Sequence, residues 1–584
     1  MIASRPKPEY GSDIVVDLMK AFGIEYAAFN PGATFRGIHD SIVNYGGNQC
    51  PEVIECCHEE VSVAVAHGYA KAAGKPMAAI THNIVGLQHA SMAIFNAWCD
   101  RAPVIVMGGT GPMDTTRRRP WIDWVHTALV QGNLVRDFVK WDDQPYSAAA
   151  IPDSFIRGYR TAVTAPCGPV YLCFDSDIQE SRLTGPVAIP DIGRHAPAPP
   201  LPANQEAILR AAELLTRARY PVILADYVGR NPRAVGSLVE LAEALAAPVI
   251  DLGGRFNFPS THPLDATGAE QEHLGEADVV LALDAQDLYG AMGKVDKATR
   301  AFTSCLGHEA AIIHISLDEL ATRSWAADYQ KLQAVDVPIL ADTALAIPQL
   351  LGACRELGID GDRAGRRYER LTTEHLARRA RWHGQATSQD DGQAIAQPAL
   401  AALVWDTIKA EDWVLTSDAW NRWARRLWDW EQPHQYLGRC NGGGLGYGLG
   451  ASVGAALAHR NTNRLVVDLQ SDGDFLFCPS ALWTAAHHRL PLLVIMLNNR
   501  TYFNSEEHQA EVARTRGRAV GQAGIGTQLA DPPVDYAQLA RSFGLHGEGP
   551  IERLEELEPA LQRALGAVKE RKQAALVDVI VQAR

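Results

Sequence analysis

The sequence lacks any apolar run long enough to cross a bilayer: stretches such as 492–497 fall far short of the roughly 20 residues a spanning helix needs. It lacks positive charge as well. Its 54 Lys and Arg against 68 Asp and Glu leave a net charge of −14, which repels a phosphate backbone and argues against nucleic acid as a partner. The first residues show no signal-peptide core. The 10 cysteines form no CxxC pair, and Cys56 and Cys57 are neighbours, so no disulfide framework is indicated. A reduced, cytoplasmic protein without a membrane partner is expected.

What is present is a globular balance, with 47% apolar and 21% charged residues over 584 positions, enough for three or four packed units. Two stretches read as joints. Residues 183–203 are proline-rich and lack helical period, and residues 358–397 hold a charged helical segment (363–381) followed by a polar tract (384–397). The expected domains are therefore 1–183, 204–355 and 390–584. Each alternates helical patterns with short apolar strands, which predicts α/β domains built on parallel sheets. Predicted strands are 26–30, 77–81, 104–108 and 170–174 in the first, 221–225, 249–252, 279–283 and 311–315 in the second, and 413–416, 465–469, 492–497 and 575–581 in the third. A helix is expected over 59–73. Residues 61–83 and 451–473 share an order of helix, basic turn, strand and polar loop, which suits either a recurrent αβ unit or two related sheets facing each other.

The segment 464–509 carries the chemistry. A strand runs into Gln470-Ser471-Asp472-Gly473-Asp474, a helix follows around 480–489, and a second apolar strand ends in Asn498-Asn499. Such a βαβ unit delivers both polar ends to one carboxyl edge, where open α/β sheets bind ligands. Asp472 and Asn499 offer oxygens suited to a hard divalent cation such as Mg²⁺. Gly473 permits close backbone approach to a phosphate, and the helix N-terminus beyond it favours an anion. A lone Asp-Gly is usually a turn and a lone Asn-Asn usually a cap. The 27-residue interval across strand, helix and strand favours a Mg²⁺–diphosphate clamp instead.

With these residues the chain resembles the thiamine diphosphate-dependent enzyme superfamily, whose signature is Gly-Asp-Gly followed some two dozen residues later by Asn-Asn; here Ser471 replaces the first glycine. Three other stretches carry the resemblance. Cys57-His58-Glu59-Glu60 with Gly68-Tyr69-Ala70-Lys71 is similar to the segment holding the glutamate that activates thiamine, here Glu59. Gly442-Gly443-Gly444-Leu445-Gly446 is similar to the turn whose bulky apolar residue, here Leu445, props the coenzyme. Ser480–Ala486 is close to a helix of the benzoylformate decarboxylases. The resemblance implies three doubly wound parallel-sheet domains: pyrimidine-binding, central Rossmann-like and diphosphate-binding. It implies thiamine diphosphate held with Mg²⁺ by Asp472, Asn499 and the Thr501 carbonyl, and contacted by Gly443, Leu445, Gly473 and Asp474. It also implies that Glu59 of one subunit serves the clamp of another, in a homodimer or homotetramer.

Taken alone, Glu59 opens an amphipathic helix, where an acid is ordinarily an exposed group favoured by the helix dipole. A buried glutamate there is instead suited to sharing a proton with a pyrimidine nitrogen. His82 ends a strand 23 residues later. The resemblance places it where benzoylformate decarboxylases carry a substrate-contacting histidine and acetolactate synthases a small residue; His89 is a second candidate for the same wall. His58-Glu59-Glu60 is not a zinc motif, because Ser62 stands where HExxH needs histidine. His487-His488 point apart on their helix and make no metal pair. Arg117-Arg118-Arg119 is ordinarily a solvated run, but with Trp121, Trp124 and His126 it suits a pocket for a bulky acid, one arginine holding the carboxylate. Residues 502–508 read as a lid. Acidic strand ends at Asp226 and Asp284 oppose a diphosphate in the central unit, so no FAD is expected. The favoured function is 2-oxo acid decarboxylation, with or without carboligation to an aldehyde. The alternatives are an acetolactate synthase-type transferase and a non-catalytic coenzyme-binding regulator.

Overall fold

Sixteen strands of three separate sheets run parallel to their neighbours in the computed structural model, which describes residues 7–296, 299–307, 310–321, 331–387, 394–419 and 422–582. The first sheet contains β1 (Tyr26–Phe29), β2 (Glu52–Glu55), β3 (Met77–Thr81), β4 (Val104–Thr110), β5 (Asp142–Asp143) and β6 (Val170–Asp175), in the order β2-β1-β3-β4-β6-β5. The second contains β7 (Pro221–Ala225), β8 (Val249–Asp251) and β9 (Val279–Leu283), followed by an antiparallel ribbon of β10 (Gly293–Val295) and β11 (Phe302–Ser304). Its remaining strands are β12 (Ala311–Ser316) and β13 (Val337–Leu340), and the sheet order is β13-β12-β9-β7-β8. The third contains β14 (Trp413–Asp418), β15 (Leu465–Ser471), β16 (Leu493–Asn498), β17 (His546–Ile551) and β18 (Ala575–Ile580), ordered β14-β15-β16-β18-β17. Helices cover both faces, so central strands such as β3, β9 and β16 are buried along their whole length, and continuous Val/Ile/Leu runs replace polar alternation.

The joints differ from one another. Residues 183–203 hold only the short turn Ile192–His195. The charged segment expected at 363–381 is the middle of a longer helix, Gly361–Thr387. That helix docks on the central unit: Arg367 donates to the Ala246 carbonyl at 2.9 Å, and Arg378 reaches the Asp265 carbonyl. Residues 388–393 of the expected polar tract lie outside the described residues.

The two outer units meet directly. The helix Glu59–Ala73 packs along Tyr447–Ala458, the two helices of the repeated αβ order. Glycine makes the approach possible. A Cβ on Gly68 would fall 1.9 Å from the Ala451 carbonyl oxygen, and one on Gly454 would fall 2.0 Å from that of Val65.

Candidate active site

β15 and β16 are parallel neighbours, with Ser471 opposite Leu497, so Asp472 and Asn499 leave the sheet at the same carboxyl edge. Asp472 is buried. Its Oδ1 accepts the Gly473 N–H at 2.9 Å, while Oδ2 has no partner. Burial pushes its carboxyl up to about 6, against the backbone N–H groups of Gly473, Arg500 and Thr501. A buried oxygen aimed at nothing, on a carboxyl short of counter-charge, fits a cation ligand. Asn499 Oδ1 accepts the Thr501 N–H at 3.0 Å, which turns that side chain back toward the same edge. Asp472 and Asn499 thus stand at one sheet edge, and their oxygens are of the kind that suits a hard cation such as Mg²⁺. What approaches Gly473 most closely is the Tyr502 ring, 2.5 Å from where its Cβ would stand.

Beside this edge lies a cavity of about 260 Å³. Among the expected residues Gly443, Leu445 and Asp474 line it, and Ser417, Asp418, Arg439, Cys440 and Gln470 join them. Asp474 Oδ1 accepts the Gly446 N–H at 2.8 Å and its other oxygen accepts from the Gln470 amide, tying the glycine-rich loop to the clamp. Gly446 has φ +97°, a left-handed backbone that supports the turn before the Tyr447–Ala458 helix. Leu445 is 38% exposed on the loop, so its apolar side chain is available to a bound molecule.

Glu59, His82 and His89 form a second group, on the first unit. Glu59 is 4% exposed at the first turn of its helix. Its carboxylate takes the Asn30 amide at 3.3 Å and lies 3.2 Å from His89 Nδ1. A Cβ on Gly86 would lie 2.8 Å from both Glu59 Oε1 and His82 Cβ, so the two side chains flank one spot. His82 Nδ1 accepts the Asn83 N–H at 2.9 Å and lies 2.8 Å from Thr34 Oγ1, which leaves Nε2 to carry the proton of the neutral ring. Burial and then the neighbouring His126 hold the His82 imidazole below its ordinary value. Neither Glu59 nor His82 lines the cavity beside the clamp.

Other expectations resolve differently. Arg117 pairs with Asp177, Arg119 pairs with Asp123, and Arg118 donates to the Pro112 carbonyl while stacking on Trp124, so each guanidinium already has a partner. Only His126 of that group reaches His82, with ring centroids 5.6 Å apart. Residues 502–508, expected as a lid, form the start of the helix Phe503–Thr515, where Glu506 accepts the Thr501 hydroxyl at 2.7 Å. His488 Nε2 accepts the Glu55 N–H at 2.8 Å, and His487 stacks on Trp483. Glu60 was missed by the sequence reading. It faces Gly446 and Cys478, and burial pushes it up to about 7. Adjacent positions on a helix point about 100° apart, which hints that Glu59 and Glu60 serve different neighbours. His58 offers donor atoms within 4.8 Å of both Glu60 and Cys478, but its Nδ1 already caps the helix through the Glu60 N–H.

The carboxyl edge of the central sheet is filled from within. Asp284 receives Arg230 and the Thr343 hydroxyl, Asp226 accepts the N–H groups of Gly254 and Gln286, and Arg101 of the first unit pairs with Asp318 over the Tyr227 ring.

The fold is that of a three-domain α/β protein whose third unit gathers polar groups at the carboxyl edge of its sheet. Three family models match in chain order: thiamine pyrophosphate enzyme N-terminal TPP-binding domain over residues 10–132, central domain over 208–350, and C-terminal TPP-binding domain over 419–579. The chain belongs to the thiamine diphosphate-dependent enzyme superfamily, in its benzoylformate decarboxylase and acetolactate synthase group. It is 27% identical to the benzoylformate decarboxylase of Pseudomonas aeruginosa over 535 residues, 87% of this chain and 89% of that one. It is 25% identical to acetolactate synthase 1 of Zea mays over 605 residues, 98% of this chain and 86% of that one. In fold it is similar to the benzoylformate decarboxylase of Polynucleobacter necessarius, with a TM-score of 0.79 at 19% identity over 99% of both chains. It is also similar to the 4-hydroxybenzoylformate decarboxylase of Rhodococcus jostii, with a TM-score of 0.76 at 22% identity over 98% of this chain and 99% of that one.

Proposed function

We propose that this protein is a Mg²⁺-dependent 2-oxo acid decarboxylase, with carboligation to an aldehyde as a secondary outcome. Asp472, Asn499 and the Thr501 carbonyl would hold the metal, with Gly473 and Asp474 beside the diphosphate and Gly443 and Leu445 shaping the loop over it. Thiamine diphosphate, when bound, supplies a carbon nucleophile and an electron sink for the loss of CO₂. Glu59 would hold a proton at its carboxylate opposite the pyrimidine. His82 would present its Nε2 proton to the substrate carboxylate or to the reacting carbon, with Thr34 and Asn83 fixing the ring. By the family resemblance Glu59 of one subunit would serve the clamp of another, as homodimer or homotetramer. FAD is not part of the proposal, because the strand-end acids Asp226 and Asp284 would oppose a diphosphate and Asp284 already pairs with Arg230.

The observation that favours a decarboxylase over a synthase is His82, fixed by two hydrogen bonds beside Glu59. Incubation with phenylglyoxylate and with pyruvate, coenzyme and Mg²⁺ present, tests it. Release of CO₂ with formation of the aldehyde supports the proposal; acetolactate as the product from pyruvate replaces it with the transferase.

A further inference from the structure

Under the glycine-rich loop lies a set of buried polar groups that the site does not account for. The Lys71 side chain has no solvent exposure. Its ammonium lies 2.8 Å from Asp100 Oδ2 and donates to the carbonyls of Gly438 at 3.0 Å and Arg439 at 3.1 Å, and to the Tyr447 hydroxyl at 2.9 Å. Asp100 Oδ1 accepts the Asn441 N–H at 2.8 Å, and His67 Nε2 stands 3.0 Å from Oδ2. One turn earlier on the helix Ile84–Cys99, Asn96 clasps the next peptide from both sides. Its Oδ1 accepts the Gly444 N–H, and its Nδ2 donates to the Gly444 carbonyl, each at 3.1 Å.

A buried ion pair adds little net stability compared with apolar packing, so its presence calls for a positional reason. Burial raises the Asp100 carboxyl, but Lys71 and His67 outweigh it and leave it well below the usual range, while burial lowers the Lys71 ammonium to about 8. Segment 438–446 contains five glycines, which alone would sample many conformations and lose that freedom on ordering. The anchors from Lys71, Asp100 and Asn96 come from the first unit of the same chain and lie on both sides of Gly443 and directly before Leu445, while Asp474 of the third unit holds Gly446 and Tyr227 of the central unit meets Asn441.

We propose that Lys71, Asp100 and Asn96 are positioning residues that hold the 438–446 loop in the shape the coenzyme requires. The inference rests on the coenzyme reading above. Each N-terminal unit then has two tasks: it shapes the cavity of its own chain through this clasp, and it offers Glu59 to the partner.

Asn96→Ala tests this without stranding a charge, and the double variant Lys71→Met/Asp100→Asn removes the ion pair as a unit. Hydrogen exchange of the coenzyme-free protein, calorimetric affinity for thiamine diphosphate at fixed Mg²⁺, and kcat at saturating coenzyme are measured together. We expect exchange in 438–446 to rise about tenfold and affinity to fall about tenfold, as for one or two lost hydrogen bonds, with exchange in β15 and β16 unchanged and kcat within about twofold. Wild-type exchange and affinity in both variants would overturn the inference alone. A rise in exchange spread evenly over all three units would overturn it too, since that marks general loosening. Failure of the wild type to bind coenzyme would overturn the coenzyme reading and this inference with it.

Discussion

Glu59 owes its environment to the position where its helix begins. His58 caps that helix through the Glu60 N–H, the first turn turns the Glu59 carboxylate inward, and Asn30 and His89 are the neighbours that hold it. A carboxylate held this way keeps its geometry when changed to the amide but can no longer take up a proton. Glu59→Gln is therefore expected to cut kcat by about 10²- to 10⁴-fold, the usual worth of a positioned acid–base group, while coenzyme affinity stays within about threefold of wild type. Steady-state kinetics beside titration calorimetry checks both halves. At this scale the sequence was informative where chemistry is local and silent where it is not. Asp472 and Asn499 were legible because one βαβ unit delivers both. The clasp of Asn96 on Gly444 was not, because 348 residues separate the partners. The pairing of Arg117 with Asp177 was hidden for the same reason, 60 residues apart.

At the scale of elements, the helices Glu59–Ala73 and Tyr447–Ala458 form the seam between the outer units, and their approach is set by backbone atoms. Gly454→Leu drives a side chain into the Val65 carbonyl, with no flexible neighbour to yield. It should destabilise the protein by about 3 kcal/mol or more, as for severe overpacking, whereas Gly566→Ala, inside the helix Leu554–Glu570 and meeting open space, should stabilise it by about 0.5–1 kcal/mol. Chemical denaturation of the two variants checks the contrast. Fully buried strands were readable as apolar runs: β3, β7 and β9 lie where the pattern put them. Among those it missed, β17 reads HGEGPI, β5 is two aspartates and β2 reads EVIE, none of them an apolar run, while β13 (VPIL) is apolar but only four residues long and contains a proline at the sheet edge.

On the scale of the whole molecule, the first and third units are joined by more than apolar contact. His488 of the third accepts a hydrogen bond from Glu55 at the end of β2, and burial lowers its imidazole to about 4. Its ordinary value in an unfolded chain is about 6.5. The folded value is the depressed one, so the unfolded chain binds the extra proton between those limits. The contribution of His488 is thus fully present above about pH 6.5 and lost as pH falls toward 4. A glutamine keeps an acceptor and does not titrate. The Tm of wild type minus that of His488→Gln should fall by roughly 2 °C or more between pH 7 and pH 4.5, read by scanning calorimetry in matched buffers.

The measurement closest to the central claim is titration calorimetry of the wild type and of Asp472→Asn with thiamine diphosphate, with Mg²⁺ and with chelator. The wild type should bind coenzyme only when Mg²⁺ is present, and Asp472→Asn should lose at least about tenfold in affinity through the weakened metal ligand. Coenzyme binding that is indifferent to both Mg²⁺ and Asp472, or absent altogether, would contradict the account.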